Sequence, residues 1–140
     1  MTVNHNIYLD LAFHLAERNL GQTKLNPSVG TVVVKNGAVI SSAVTSLQGR
    51  PHSEFIALNN LKNCSGASLY TTLEPCTHFG KTPPCTNIII KKKIKSVYYA
   101  FEDPDTRTFK RAKKILSQKG IKTKLIHSKK YSKFYKSYFI

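Results

Sequence analysis

Two short stretches carry side chains whose types and spacing suit one kind of chemistry. Pro51-His52-Ser53-Glu54 supplies an imidazole and a carboxylate, and the run from Leu73-Glu74-Pro75-Cys76 to Pro83-Pro84-Cys85 supplies two thiols. A catalytic zinc takes three protein ligands of these types and leaves its fourth tetrahedral position to water. His52, Cys76 and Cys85 are the candidate ligands for one zinc ion per chain, and Glu54 is the carboxylate left over to exchange protons with the water. Two blander readings compete. The three residues could be unrelated members of the core, or the zinc could be structural, which calls for a fourth protein ligand such as His78. Against both, all three flank Pro or Gly turns at expected helix starts, and the step from Cys76 to His78 is tight for tetrahedral chelation.

The elements that must position these groups follow from periodicity. Asn6 to Asn19 has apolar residues Ile7, Leu11, Ala12 and Leu15 at helical spacing, with Gly21 as a stop. A loop through Asn26-Pro27 leads to a β-branched strand from Val29 to Lys35. Asn36-Gly37 predicts a two-residue hairpin into a second strand from Ala38 to Thr45. Pro51 then opens a helix carrying Phe55, Ile56, Leu58 and Leu61, with His52 and Glu54 at its N-terminus, where free N–H groups favour negative charge. A strand from Ala67 to Leu73 delivers Cys76 at its end, and Pro83-Pro84 starts a helix from Cys85 to Lys92. A strand from Ser96 to Phe101, a helix from Arg107 to Lys119 (Phe109, Ala112, Ile115 and Leu116 inward) and a strand from Ile121 to Ile126 complete the alternation. That order, an initial hairpin followed by alternating strands and helices, predicts an α/β fold with a mixed, mostly parallel sheet covered on both faces. Tyr131, Phe134, Tyr135 and Tyr138 recur at helical spacing, so 128–140 is read as a docking or linker helix packed on its own domain or on a neighbour.

The totals narrow the function class. One domain over 1–140 is expected from the length of 140 residues. No apolar run approaches a membrane span and Met1-Thr2-Val3-Asn4-His5 lacks a signal layout, so a cytoplasmic protein without a membrane partner is expected. The odd count of 3 cysteines argues for metal use over a disulfide framework, with Cys64 the spare. The net charge of +15 concentrates from Lys91 onward, where sixteen basic residues face three acidic ones. Such a field attracts phosphates, yet the lysines are scattered and carry no nucleic-acid motif. His5, His14 and His127 lie outside the motifs and are read as surface or satisfied histidines.

These residues resemble a known family. His52-Ser53-Glu54 and Pro75-Cys76 fit the zinc-deaminase signature of H-x-E followed by P-C-x-x-C, but eight residues separate Cys76 from Cys85 where the signature has two. That long spacing, with Thr72 to Cys85, Asn26-Pro27-Ser28-Val29-Gly30 and Glu102-Asp103-Pro104-Asp105, resembles the pyrimidine deaminase of riboflavin biosynthesis (diaminohydroxyphosphoribosylaminopyrimidine deaminase), from about Ile7 to Ile126. It separates this family from cytidine and tRNA adenosine deaminases. The resemblance implies a three-layer α/β/α cytidine-deaminase-like fold and hydrolytic loss of the 2-amino group from a small phosphorylated pyrimidine. It implies His52, Cys76 and Cys85 as zinc ligands, Glu54 as proton shuttle, and Asn26, His78 and Lys81 as substrate contacts. Many relatives carry an NADPH-dependent reductase domain after the deaminase, so a reductase domain or subunit and a second copy of the chain are the expected protein partners. The chain itself carries no Gly-rich dinucleotide fingerprint, so NADPH oxidation is not expected of it. Two departures stand out: Thr45 occupies the place of an expected substrate-contacting histidine, and Ser53 that of an alanine. The rival reading is a nucleic-acid deaminase of tRNA-adenosine or cytidine type, drawn to its substrate by the basic charge.

Overall fold

The computed structural model describes residues 4–136. Its elements are α1 (His5–Arg18), β1 (Gly30–Lys35), β2 (Ala38–Val44), α2 (Ser53–Asn59), β3 (Ser68–Leu73), α3 (Cys85–Lys91), β4 (Ser96–Phe101), α4 (Arg111–Gln118) and β5 (Lys122–Leu125). They form one five-stranded sheet of order β2-β1-β3-β4-β5. β1 pairs antiparallel with β2 and β3, whereas β3–β4 and β4–β5 are parallel, so the sheet is mixed. Asn36 and Gly37 both have positive φ (52° and 76°), the conformation a two-residue hairpin turn demands.

Each face of the sheet buries its own cluster. On one, Leu9, Ala12, Phe13 and Leu15 of α1 pack with Val32, Tyr70 and Tyr98. On the other, Ala57 and Leu58 of α2, Ile89 of α3 and Leu116 of α4 pack with Val33, Leu69 and Val97. Helices on both faces make the three layers. The apolar stripe of α1 differs from its sequence reading: Ile7 and Leu11 are exposed, and Leu9, Ala12, Phe13 and Ala16 turn inward. The reason is the close approach of α1 to β1. A Cβ on Gly30 would stand 1.8 Å from the Ala12 carbonyl oxygen, so only glycine lets the helix sit there, and Ala12 and Ala16 must face the strand.

Two further expectations need correction. The helix expected from Arg107 begins four residues later, at Arg111, and Phe109 is exposed. Asp105 holds the backbone N–H and guanidinium of Arg107, and the Glu74 carboxylate accepts the N–H groups of Asp103, Lys110 and Ala112, each at 3.1 Å. These bonds wrap 103–110 into turns around Glu74 and leave Lys110 with a left-handed backbone (φ 60°) ahead of the helix. In place of a helix over 128–140, residues 130–136 form successive turns, tied by i to i+3 bonds such as Phe134 N–H to Tyr131 O. Tyr138 lies outside the described residues. The tighter path lets both tyrosines reach their own domain. Tyr131 stacks on Phe13 at 4.3 Å, and the buried Tyr135 hydroxyl donates to Ser28 O (2.7 Å) while bonding Thr72 Oγ1 (2.7 Å).

Strand direction decides where chemistry can sit. The C-terminal ends of β3 and β4 lie at one edge of the sheet. Because β1 is antiparallel to β3, its beginning and the end of β2 lie at that edge too, with Gly30 opposite Val44.

Candidate metal centre

His52, Cys76 and Cys85 meet at that edge, each at the end of an element. His52 is the N-cap of α2, Cys85 is the first residue of α3, and Cys76 follows β3 by three residues. Their ligand atoms lie within 4.8 Å of one another. His52 Nδ1 is 3.7 Å from Cys76 Sγ and 3.5 Å from Cys85 Sγ. A tetrahedron with Zn–S of about 2.3 Å and Zn–N of about 2.05 Å has N···S edges of about 3.6 Å, so the donors stand where zinc needs them. His78 is not in this group; its Nδ1 engages Thr108 Oγ1 at 3.1 Å. With three ligands among the described residues, the site has the composition of a catalytic zinc rather than a structural one.

The protein already prepares one of these atoms, the Cys76 sulfur, for a cation. The hydrogen bond with Cys85 holds the Cys76 thiol far below its ordinary range, at about 4, with His52 and the Cys85 backbone N–H (3.2 Å) adding to the effect. The same shared proton and burial push Cys85 up, so the pair carries one thiolate and one thiol. The bond to Cys76 pushes His52 upward.

Glu54 lies in the first turn of α2 and is 4 % exposed. Burial pushes its carboxyl up to about 7, against the pull of His52. Ser53 Oγ donates to Glu54 Oε1 (3.1 Å) and bonds Thr31 Oγ1 (2.7 Å), so the departure at position 53 adds a buried hydroxyl against the carboxylate. A cavity of about 280 Å³ opens over His52, Glu54 and Cys76, with Asn26 and His78 in its wall. Asn26 is fixed by its amide N–H to Gly49 O (2.9 Å). A Cβ on Gly49 would come 2.6 Å from Thr23 O, which explains the glycine. Lys81 is exposed and does not line the cavity. Thr45 does line it, but its hydroxyl is spent on the backbone of Val29, accepting from N (3.0 Å) and donating to O (3.3 Å). Sequence reasoning passed over Glu74, Arg50, Asp103 and Arg107, which also line the cavity. The one available signal was Asp103-Pro104-Asp105, noted as a motif without a role. Cys64 is buried in the core and His5 bonds the Tyr70 hydroxyl (2.6 Å), as their bland readings required.

A three-ligand Cys₂His centre beside a buried carboxylate at the start of a helix defines a zinc-dependent deaminase domain, and residues 2–101 match the family model for the cytidine and deoxycytidylate deaminase zinc-binding region. The chain belongs to that family. Within it, the likeness is to riboflavin biosynthesis proteins. It is 48 % identical over 99 residues to the riboflavin biosynthesis protein RibD of Aquifex aeolicus, covering 70 % of this chain and 28 % of that protein. It is 42 % identical over 118 residues to RibD of Bacillus amyloliquefaciens, covering 84 % and 32 %. A crystal structure of a diaminohydroxyphosphoribosylaminopyrimidine deaminase/5-amino-6-(5-phosphoribosylamino)uracil reductase from Thermotoga maritima superposes with a TM-score of 0.84 at 33 % identity, covering 93 % of this chain and 38 % of that one. The chain thus spans about a third of the length of these relatives.

Proposed function

We propose that this chain hydrolyses 2,5-diamino-6-(5-phosphoribosylamino)pyrimidin-4(3H)-one to 5-amino-6-(5-phosphoribosylamino)uracil and ammonia, a step of riboflavin biosynthesis. The observation that carries the reading is the convergence of His52, Cys76 and Cys85, with His52, Cys76 and the buried Glu54 lining one cavity. Its family and its likeness to riboflavin proteins supply the substrate class.

His52, Cys76 and Cys85 hold one zinc ion per chain. Zinc held there would supply Lewis acidity and bring the pKa of a water down toward neutrality. Glu54 accepts the proton from that water as the new C–O bond forms at C2. It delivers that proton to the ring nitrogen, then takes the second proton from the new hydroxyl and passes it to the 2-amino group, so the C2 carbonyl forms as the C–N bond breaks and ammonia leaves. Burial suits Glu54 to this work, since a carboxyl poised near neutrality both takes and gives. Asn26 and His78 hold the polar edge of the pyrimidine, and Lys81 adds positive charge outside the cavity. A cytoplasmic setting, a second copy of the chain and a reductase domain or subunit belong to the same reading. The Thermotoga relative joins a deaminase to a reductase, and no helix among the described residues is long and apolar enough to cross a membrane.

The test is a mass assay of product from the diaminopyrimidine phosphate, run on zinc-replete wild type and on Glu54→Gln. Wild type should convert the 2-amino group to a 2-oxo group. Glu54→Gln should keep its zinc and lose about a hundred- to ten-thousand-fold in turnover. No conversion by wild type, or deamination of tRNA in its place, would overturn the assignment.

A further inference from the structure

The cations around the active-site cavity are not equivalent. Arg107 lines it, but its Nε and Nη2 are bound to the Asp105 carboxylate at 2.7–3.3 Å. Lys81 stands outside the lining. Arg50 is different. It is half-buried in the cavity wall, two residues before the ligand His52, and the one ion pair among the described residues is that of Arg107. Its Nη1 donates to Thr82 Oγ1 at 3.1 Å. A Cβ on Gly80 would meet Nη2 at 3.6 Å, so the guanidinium lies beside the Gly80–Thr82 turn, close to its backbone.

A guanidinium carries five N–H donors in a planar fork that matches the oxygens of a phosphate monoester. One Arg50 nitrogen is taken by Thr82, which fixes the plane and brings a hydroxyl to the same spot. Meanwhile Thr45, where the resemblance calls for an imidazole, has committed its hydroxyl to Val29. That wall of the cavity gives the substrate no side-chain charge, and Arg50 is the cation of the lining without a carboxylate partner.

We propose that Arg50, with the Thr82 hydroxyl beside it, binds the phosphate of the substrate and sets the preference for a phosphorylated pyrimidine. This rests on the deaminase reading above. Arg50 is joined to His52 by two peptide units, about 7 Å of extended chain, and lines the same cavity as Glu54, so an anion seated on it is tied to the reacting end of that cavity. Binding energy gained at the phosphate then positions the ring without any direct part in the chemistry.

The test compares wild type, Arg50→Gln and Arg50→Lys on the phosphorylated substrate and on the same riboside without its phosphate. Arg50→Gln should raise KM for the phosphorylated substrate about ten- to a hundredfold, the worth of a lost charge-assisted pair, with kcat within about threefold. KM for the riboside should not change, and zinc content should match wild type. Arg50→Lys should recover part of the loss, keeping charge but not the fork. An equal loss on both substrates, or no loss on either, would overturn the assignment. A parallel calorimetric titration with ribose 5-phosphate separates this idea from the reaction itself. Should wild type turn over neither pyrimidine, the deaminase reading fails, while ribose 5-phosphate binding to wild type and not to Arg50→Gln still supports Arg50. Equal binding to both, or to neither, sinks it.

Discussion

The metal half of the cavity and its loop half are held in different ways. His52 and Cys85 sit at the first turns of α2 and α3, and Cys76 follows the central strand β3. All three elements bury Leu58, Ile89 and Leu69 in one aliphatic cluster, so the proposed ligands inherit the rigidity of packed core. Asn26, Arg50, His78 and Asp103 lie on loops instead. Their positions depend on local polar bonds, among them Asn26 to Gly49 O, Arg50 to Thr82, His78 to Thr108, and Asp103 N–H to Glu74. Metal chemistry tolerates little displacement and is placed on element ends. The proposed recognition groups lie on loops, where a polar bond can be changed without disturbing the centre.

The sharpest way to break that comparison is at the ligands. Cys76→Ser and Cys85→Ser should each lose zinc and all measurable turnover, with the fold retained by circular dichroism. Metal analysis of the purified variants checks this, and full zinc retention in both would remove the metal half from the account.

Glu74 tests whether the two halves separate. It is 2 % exposed, and three backbone N–H groups converge on it. Burial pushes its carboxyl upward while those N–H groups favour the ionised form. Glu74→Gln sets an amide N–H₂ against donors and should cost about 1–3 kcal/mol in a denaturant titration. KM should rise as the turns at 103–110 loosen, with zinc content unchanged. Loss of zinc in step with stability would show that the halves are one unit.

The smallest effect belongs to Asn26. Asn26→Ala removes its anchor to Gly49 and one proposed substrate contact, worth about 1 kcal/mol. Steady-state kinetics should show KM up about fivefold with kcat little changed. A fall in kcat larger than the rise in KM would move Asn26 from recognition into the chemistry.

The sequence by itself determined the chemistry and most of the elements. Ligand type, the His52–Glu54 spacing and the Pro83-Pro84 helix start are local facts, and a zinc donor set is recognisable from residue types alone. Nine elements were legible because hydrophobic period and turn residues act over a few positions. Only the tertiary structure decided what depends on distant partners. The face of α1 is set by its approach to Gly30, which no helical period contains. The late start of α4 is set by Glu74, 38 residues before Ala112. The aromatic stripe of 131–135 does repeat at helical spacing, yet Ser28, Thr72 and Phe13 draw it into turns. Arg50 was invisible as a binding group for the same reason, since its surroundings come from Gly80 and from Thr82, 32 residues further along the chain. Periodicity reports which side chains share a face, and hydrogen bonds and close packing between segments far apart in the chain decide what that face meets.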